Sequence, residues 1–257
     1  MPRAGSSGGA SGVRGDPTTH DAQIRQGLAP AGRLPEPVRR CVERAIPLDG
    51  PVPTRVRVEQ TGDMWPAPGS KPMHFTAVEE FAGYEAAFSW HARFPILPLL
   101  AMRIQDGLEA GEGRMRGRFA GIPFMDKSGP ALTIGAAMRY LAEIPWVPYA
   151  MLANDRLHWR QVDDITAEVS TDTLFGRAAV SIEFDAAGDI VRAYSDARPR
   201  DGDVARPWGG FYSDYAAVGG VRVPTTAEVR WELPEGPFTY RRGEITALAL
   251  IDAAGMT

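Results

Sequence analysis

The chain has 257 residues, 44% of them hydrophobic, and 28 basic against 32 acidic side chains leave a net charge of −4. That length and composition can bury a full core, as one large all-β domain or two small ones, while so weak a charge provides no field to gather nucleic acid or anionic lipid. Cys41 is the only cysteine, so no internal disulfide can form. The four histidines, His20, His74, His91 and His158, have no metal-site spacing, and no metal or cofactor is expected. No run approaches the roughly 18 to 20 apolar residues of a membrane helix. Lys71 and Lys127 are the only lysines, and this arginine bias with the Ala, Gly and Pro richness points to a high-GC bacterial genome.

Residues 1–30 are polar and Gly/Ser-rich and cannot offset the entropy of ordering, so a disordered tail is expected there, followed by a single domain over 31–257. The tail has no apolar segment of the secretory kind, and a cytoplasmic location is expected. In LPEPVRRCVERAI, from Leu34, the prolines suit a first turn, and Val38, Cys41, Val42 and Ala45 recur at helical spacing. Cys41 falls on the apolar face as a core residue.

From residue 54 the period changes to two. TRVRVEQTGDMW, KPMHFTAVEEFAG, AAFSWHARF and LLAMRIQDGLEAGEG read as strands separated by Gly, Pro and Asp. In GEGRMRGRFAGIP, Arg114, Arg116 and Arg118 share one strand face. Turned outward they form a solvated face, and turned inward they form an anion site. A helical cap is expected over 132–154: Thr133 is the predicted N-cap of IGAAMRYLAEI, Pro145 ends that helix after Ile144, and Pro148 opens a second helix that Asn154 closes. Strands resume in DDITAEVSTDT, GRAAVSIEFD and IVRAYSDARPR. RPWGGFYSDYAAVGG reads as an aromatic loop, ahead of PTTAEVRWELPEG and FTYRRGEITALALID. The sum is roughly ten antiparallel strands without βαβ alternation, in a sheet that curls and must close or be capped.

Nucleotide, serine-hydrolase and metalloprotease motifs are absent. The candidate residues are then Arg139 and Glu143, which meet at i,i+4 on the cap helix and form either an ion pair that pins cap to sheet or an anion clamp beside a general acid/base. The aromatics Trp90, Trp146, Tyr149, Trp159, Trp208 and Tyr212 are candidate ligand contacts whose alternative role is closing the core, with Trp208 and Tyr212 the stronger ligand candidates because aromatics on a Gly-rich loop often line ligand mouths. Trp231 reads as core.

The blocks RYLAEIPWVPYAML, HWRQVDDITAEVS, RPWGGFYSDYAAVGGVRVPTTAEVRWELPEG and FTYRRGEI resemble, in that order and from about Leu34 to Ile251, a bacterial family known only as a domain of unknown function. The shared positions are Arg139, Tyr140, Glu143, Trp146, Pro148, Trp159, Asp163, Trp208 and Trp231, whereas Tyr149 and Met151 depart from the family pattern. The resemblance implies an antiparallel, partly open barrel similar in outline to lipoprotein-carrier half-barrels, with helices across the concave face, and no established activity. The expected function is to hold an apolar or amphipathic small molecule beneath the cap. Two alternatives stand beside it: an isomerase or cyclase of a hydrophobic metabolite using Glu143, and a protein-interaction module using the PWGGFY segment.

Overall fold

Apolar and polar residues alternate through β2 (Met73–Ala82): Phe75, Ala77 and Phe81 are buried and His74 and Thr76 are exposed, so a period of two lays one face of the strand on a core. The same logic repeats along most of the chain. The structure, a computed structural model, describes residues 33–47, 52–200, 202 and 204–252. The tail expected over 1–30 lies outside the described residues.

The strands are β1 (Arg55–Met64), β2, β3 (Phe88–Leu97), β4 (Leu100–Glu109), β5 (Glu112–Phe119), β6 (Ile122–Ser128), β7 (His158–Gln161), β8 (Thr166–Thr173), β9 (Gly176–Phe184), β10 (Ile190–Pro199), β11 (Ala205–Val218), β12 (Val221–Leu233) and β13 (Gly236–Ile251). They form one 13-stranded antiparallel sheet in the order β6-β5-β4-β3-β2-β1-β13-β12-β11-β10-β9-β8-β7. Two meanders, β1 to β6 and β7 to β13, are thus sewn together by the β1–β13 pair alone. β6 and β7 end the order without pairing, so the barrel stays open.

The chain between those two edges supplies every described helix but the first, which precedes β1. The helices are α1 (Glu36–Ala45), α2 (Pro130–Ala142), a 3₁₀ turn (Ile144–Trp146) and α3 (Ala150–Ala153). Helix α2 packs on β4, β5 and β6 and also on β8, β9 and β10. Contact with both halves of the sheet requires the sheet to curl around it, which is the capped half-barrel that the strand pattern predicts. Thr133, Gly135, Ala136, Ala137, Met138, Tyr140, Leu141 and Ala142 of this helix are buried, as befits a helix enclosed on most sides. Among the described residues no helix is long and apolar enough to cross a membrane.

Several local expectations are corrected. Thirteen strands replace roughly ten, the additions being β6, the short β7 and β11. RPWGGFYSDYAAV is the strand β11, not a loop. Thr133 does not cap α2. Gly129, with φ of 114°, occupies the N-cap and Pro130 the first turn, which frees the Thr133 hydroxyl to accept the Gly113 amide of β5 at 2.9 Å. The helix ends at Ala142, two residues before Ile144, and Pro145 lies in the 3₁₀ turn. Asn154 does stand at the C-terminus of α3.

Candidate functional site

Alternation places the inward side chains of each strand, and on β1, β2 and β4 a polar residue takes one inward position of an otherwise apolar face. Gln60 follows Val56 and Val58 on β1, Glu79 lies between Ala77 and Phe81 on β2, and Asp106 lies between Ile104 and Leu108 on β4. Register then brings them together, because Glu79 pairs with Trp90 of β3 and Trp90 pairs with Asp106. Arg139 descends onto this polar row from the cap. Its Nη2 donates to Glu79 Oε1 at 2.6 Å, its Nη1 to Asp106 Oδ2 at 2.8 Å and its Nε to Glu143 at 3.0 Å. From the other side Arg241 of β13 donates to Glu143 Oε1 at 3.3 Å and to the Gln60 side-chain oxygen, which also accepts Trp90 Nε1 at 3.2 Å. Gln60 in turn donates to Glu79 Oε2 at 2.8 Å.

Two guanidiniums therefore face three carboxyl groups in a buried cluster. Glu79, with no exposed surface, is the group that burial pushes furthest, up to about 8, helped by the charge of Glu143 and opposed by Arg139 and Arg241. Burial also raises Asp106, against the pull of Arg139. These carboxylates are committed to guanidiniums, and among the described residues no group of three or more His, Cys, Asp or Glu side chains is placed to hold a metal ion.

Further bonds fasten the cap to the sheet. Tyr140 donates to the Ala82 carbonyl at 3.3 Å, Trp146 to that of Pro224 at 3.0 Å, and Tyr212 to that of Ala142 at 2.6 Å. These contacts close one end of the half-barrel. Toward the other end, where the turns after β1, β3, β5, β10 and β12 lie, the concave face stays hollow. A cavity of about 740 Å³ lies there, lined by Met64, Met73, Met102, Met115 and Met125 and by Trp65, Trp90, Trp146, Trp208 and Trp231, with Phe94, Phe238, Tyr212 and Tyr240. Five of the protein's six tryptophans thus face one hollow. Asp106, Arg139, Glu143 and Arg241 form its polar wall, and Lys127, Arg198 and Arg200 add positive charge.

Arg139, Glu143, Trp90, Trp146, Trp208 and Tyr212 are brought together on this cavity, whereas Tyr149 and Trp159 do not line it. Tyr149 is buried before α3, and Trp159 is half-buried on the edge strand β7. Trp231, read from the sequence as core, is buried in the core and also forms part of the cavity wall, 6.5 Å from Trp208. Sequence reasoning passed over Glu79, Asp106, Gln60, Arg198 and Arg241. For the first three a signal exists: each is a polar residue in the inward phase of an otherwise apolar strand face. Arg114, Arg116 and Arg118 point outward, and Arg114 is paired with Asp126 at 2.7 Å, so they form the solvated face and not an anion site.

A model of a family of unknown function (DUF6544) matches residues 23–243. No curated protein matches the chain. Among solved structures, a LolA superfamily protein from Nitrosomonas europaea is similar with a TM-score of 0.47 and 10% identity, covering 84% of this chain and 92% of that one. A DUF1329 family protein from Desulfovibrio piger has a TM-score of 0.46 and 11% identity, covering 91% and 95%. A β-barrel-like protein of the DUF1849 family from Brucella abortus has a TM-score of 0.30 and 10% identity, covering 77% and 98%.

Proposed function

The chain belongs to the family of unknown function DUF6544, and we propose that it binds an apolar or amphipathic small molecule in the hollow of the half-barrel. The observation that carries this reading is the cavity itself. A volume near 740 Å³ lies in the range of ligand pockets, about 300 to 1,000 Å³, and its walls combine aromatic and methionine side chains with a few fixed polar groups. Methionine is unbranched and adaptable, so such a wall accommodates a flexible chain better than a rigid polar metabolite.

The two alternatives are less well supported. Glu143 accepts from Arg139 through both oxygens and from Arg241 through Oε1, so its lone pairs serve the cluster ahead of any substrate. The PWGGFY segment is paired on both sides as β11, with Trp208 and Tyr212 turned into the cavity, and offers no free aromatic loop to a partner protein.

Native mass spectrometry of the purified full chain tests the reading, together with titration of an alkyl-naphthylamine fluorophore. The expected result is a copurified mass of one small molecule per chain that organic extraction removes, and probe emission that rises on binding and is displaced by the extract. A folded protein with a clean apo mass and no probe binding would refute it.

A further inference from the structure

Five cationic side chains line the cavity, Lys127, Arg139, Arg198, Arg200 and Arg241, against two carboxylates, Asp106 and Glu143. Arg139 and Arg241 are accounted for by the buried cluster. Arg198, near the end of β10, is different. One Nη2 hydrogen bond goes to the backbone carbonyl of Gly135 at 3.0 Å, its buried Nε has no hydrogen-bond partner, and no ion pair joins it to a carboxylate among the described residues. The carboxylates that act on it through space, Asp106 and Glu143, are already engaged by Arg139 at 2.8 Å and 3.0 Å.

A guanidinium in that position is costly, because it is partly buried, its Nε is shielded from solvent and no carboxylate is paired with it. Burial accordingly pulls Arg198 below its ordinary value. Its guanidinium carbon lies 4.4 Å from the ring centre of Trp208 and 5.3 Å from that of Trp231, contacts that recover part of the cost and leave the charge unneutralised. Contact with two rings and one backbone carbonyl positions the guanidinium, whose planar fork suits a carboxylate or phosphate. Arg200, two residues on, stacks on the same Trp231 ring at 5.3 Å.

Resting on the binding role argued above, we propose that the ligand is an anionic amphiphile whose carboxylate or phosphate head is bound by Arg198 on the Trp208–Trp231 platform, with its chain along Met64, Met73 and Met102. The buried Arg139 cluster is then scaffold, and Arg198 sets specificity.

The test compares four probes of equal chain length on the full protein below their micelle concentrations: dodecanoate, dodecyl phosphate, dodecanol and dodecyltrimethylammonium, followed by calorimetry and tryptophan fluorescence. The anions should bind at least about tenfold more tightly than the alcohol, and the cation more weakly still. The tighter of the two anions identifies the head group. Arg198→Gln should cost the anions about tenfold and leave dodecanol within about twofold, whereas Arg198→Lys should keep part of the preference. A purely structural Arg198 would lower dodecanol equally. Equal binding of alcohol and anion by the native chain would overturn the proposal, as would a preference that survives Arg198→Gln or tighter binding of the cation. The native-chain comparison needs no variant, so a poorly folded Arg198→Gln protein does not rescue the idea. Binding of all four probes without preference would overturn the anion inference alone; binding of none would overturn the cavity's ligand role with it.

Discussion

The residue that most shapes the chemistry of the site is Glu79, a carboxyl group on the inward face of a strand with no exposed surface. Three carboxyls crowd two guanidiniums, and burial, with Glu143 beside it, lifts Glu79 from 4.5 to about 8. The unfolded chain releases this proton near pH 4.5, whereas the folded chain keeps it until about pH 8. In that window the native state binds more protons than the unfolded state, so this group's contribution to stability falls as pH rises and levels off above the window. The slope from one such proton is at most about 1.4 kcal/mol per pH unit. Glu79→Gln retains an acceptor for Arg139 and removes the titration. Urea midpoints from pH 5 to 9 should therefore decline less steeply in the variant than in the native protein, and the variant should be the more stable of the two at the alkaline end. Parallel pH profiles for the two proteins would show that Glu79 is ionised throughout.

At the scale of elements, the relation between cap and sheet is what the sequence reading half-resolved. The 3.6-residue pattern of IGAAMRYLAEI located α2, and the i,i+4 spacing of Arg139 and Glu143 exposed one bond of the cluster. The partners of Arg139 on β2 and β4 lie 60 and 33 residues away, and only strand register brings them under the helix. The misreading of β11 has a physical cause as well. Gly209 and Gly210 signal a turn in isolation, yet here they sit mid-strand, and a side chain at Gly210 would lie 2.7 Å from the Tyr212 hydroxyl that reaches Ala142. The glycine makes room for a bond and does not bend the chain. Because Arg139 bonds all three carboxyls, Arg139→Leu should destabilise the protein by about 3 to 5 kcal/mol, the cost of leaving buried charge short of partners, in spite of the apolar replacement. Denaturant unfolding measures it. A loss below about 1 kcal/mol would mean that water already solvates the cluster and that the cap is held by Tyr140, Trp146 and Tyr212 instead.

Over the whole molecule the decisive feature is that one strand pair, β1 with β13, joins two meanders that could otherwise separate. The pair closes almost the full length of the domain, since Arg55 lies opposite Ile251. Its formation carries a large loop-closure cost before the concave core can repay it, and a slow, long-range folding step follows. Gly62 sits in this seam opposite Gly243, and a Cβ built on it would stand 2.1 Å from the Arg242 carbonyl oxygen and 2.7 Å from the Gly243 Cα. Both obstacles are backbone, so no rotamer change relieves them, and even alanine must push β1 from β13. Gly62→Ala should cost about 1 to 3 kcal/mol and lower the melting temperature by roughly 2 to 4 °C per kcal/mol. If the seam makes the two meanders interdependent, far-ultraviolet circular dichroism and tryptophan fluorescence should shift together, because the cavity tryptophans come from β1–β3 and the cap on one side and β11–β12 on the other. Two separated transitions, with one probe unmoved by the substitution, would show instead that each meander holds its own core and that the hollow between them is assembled last.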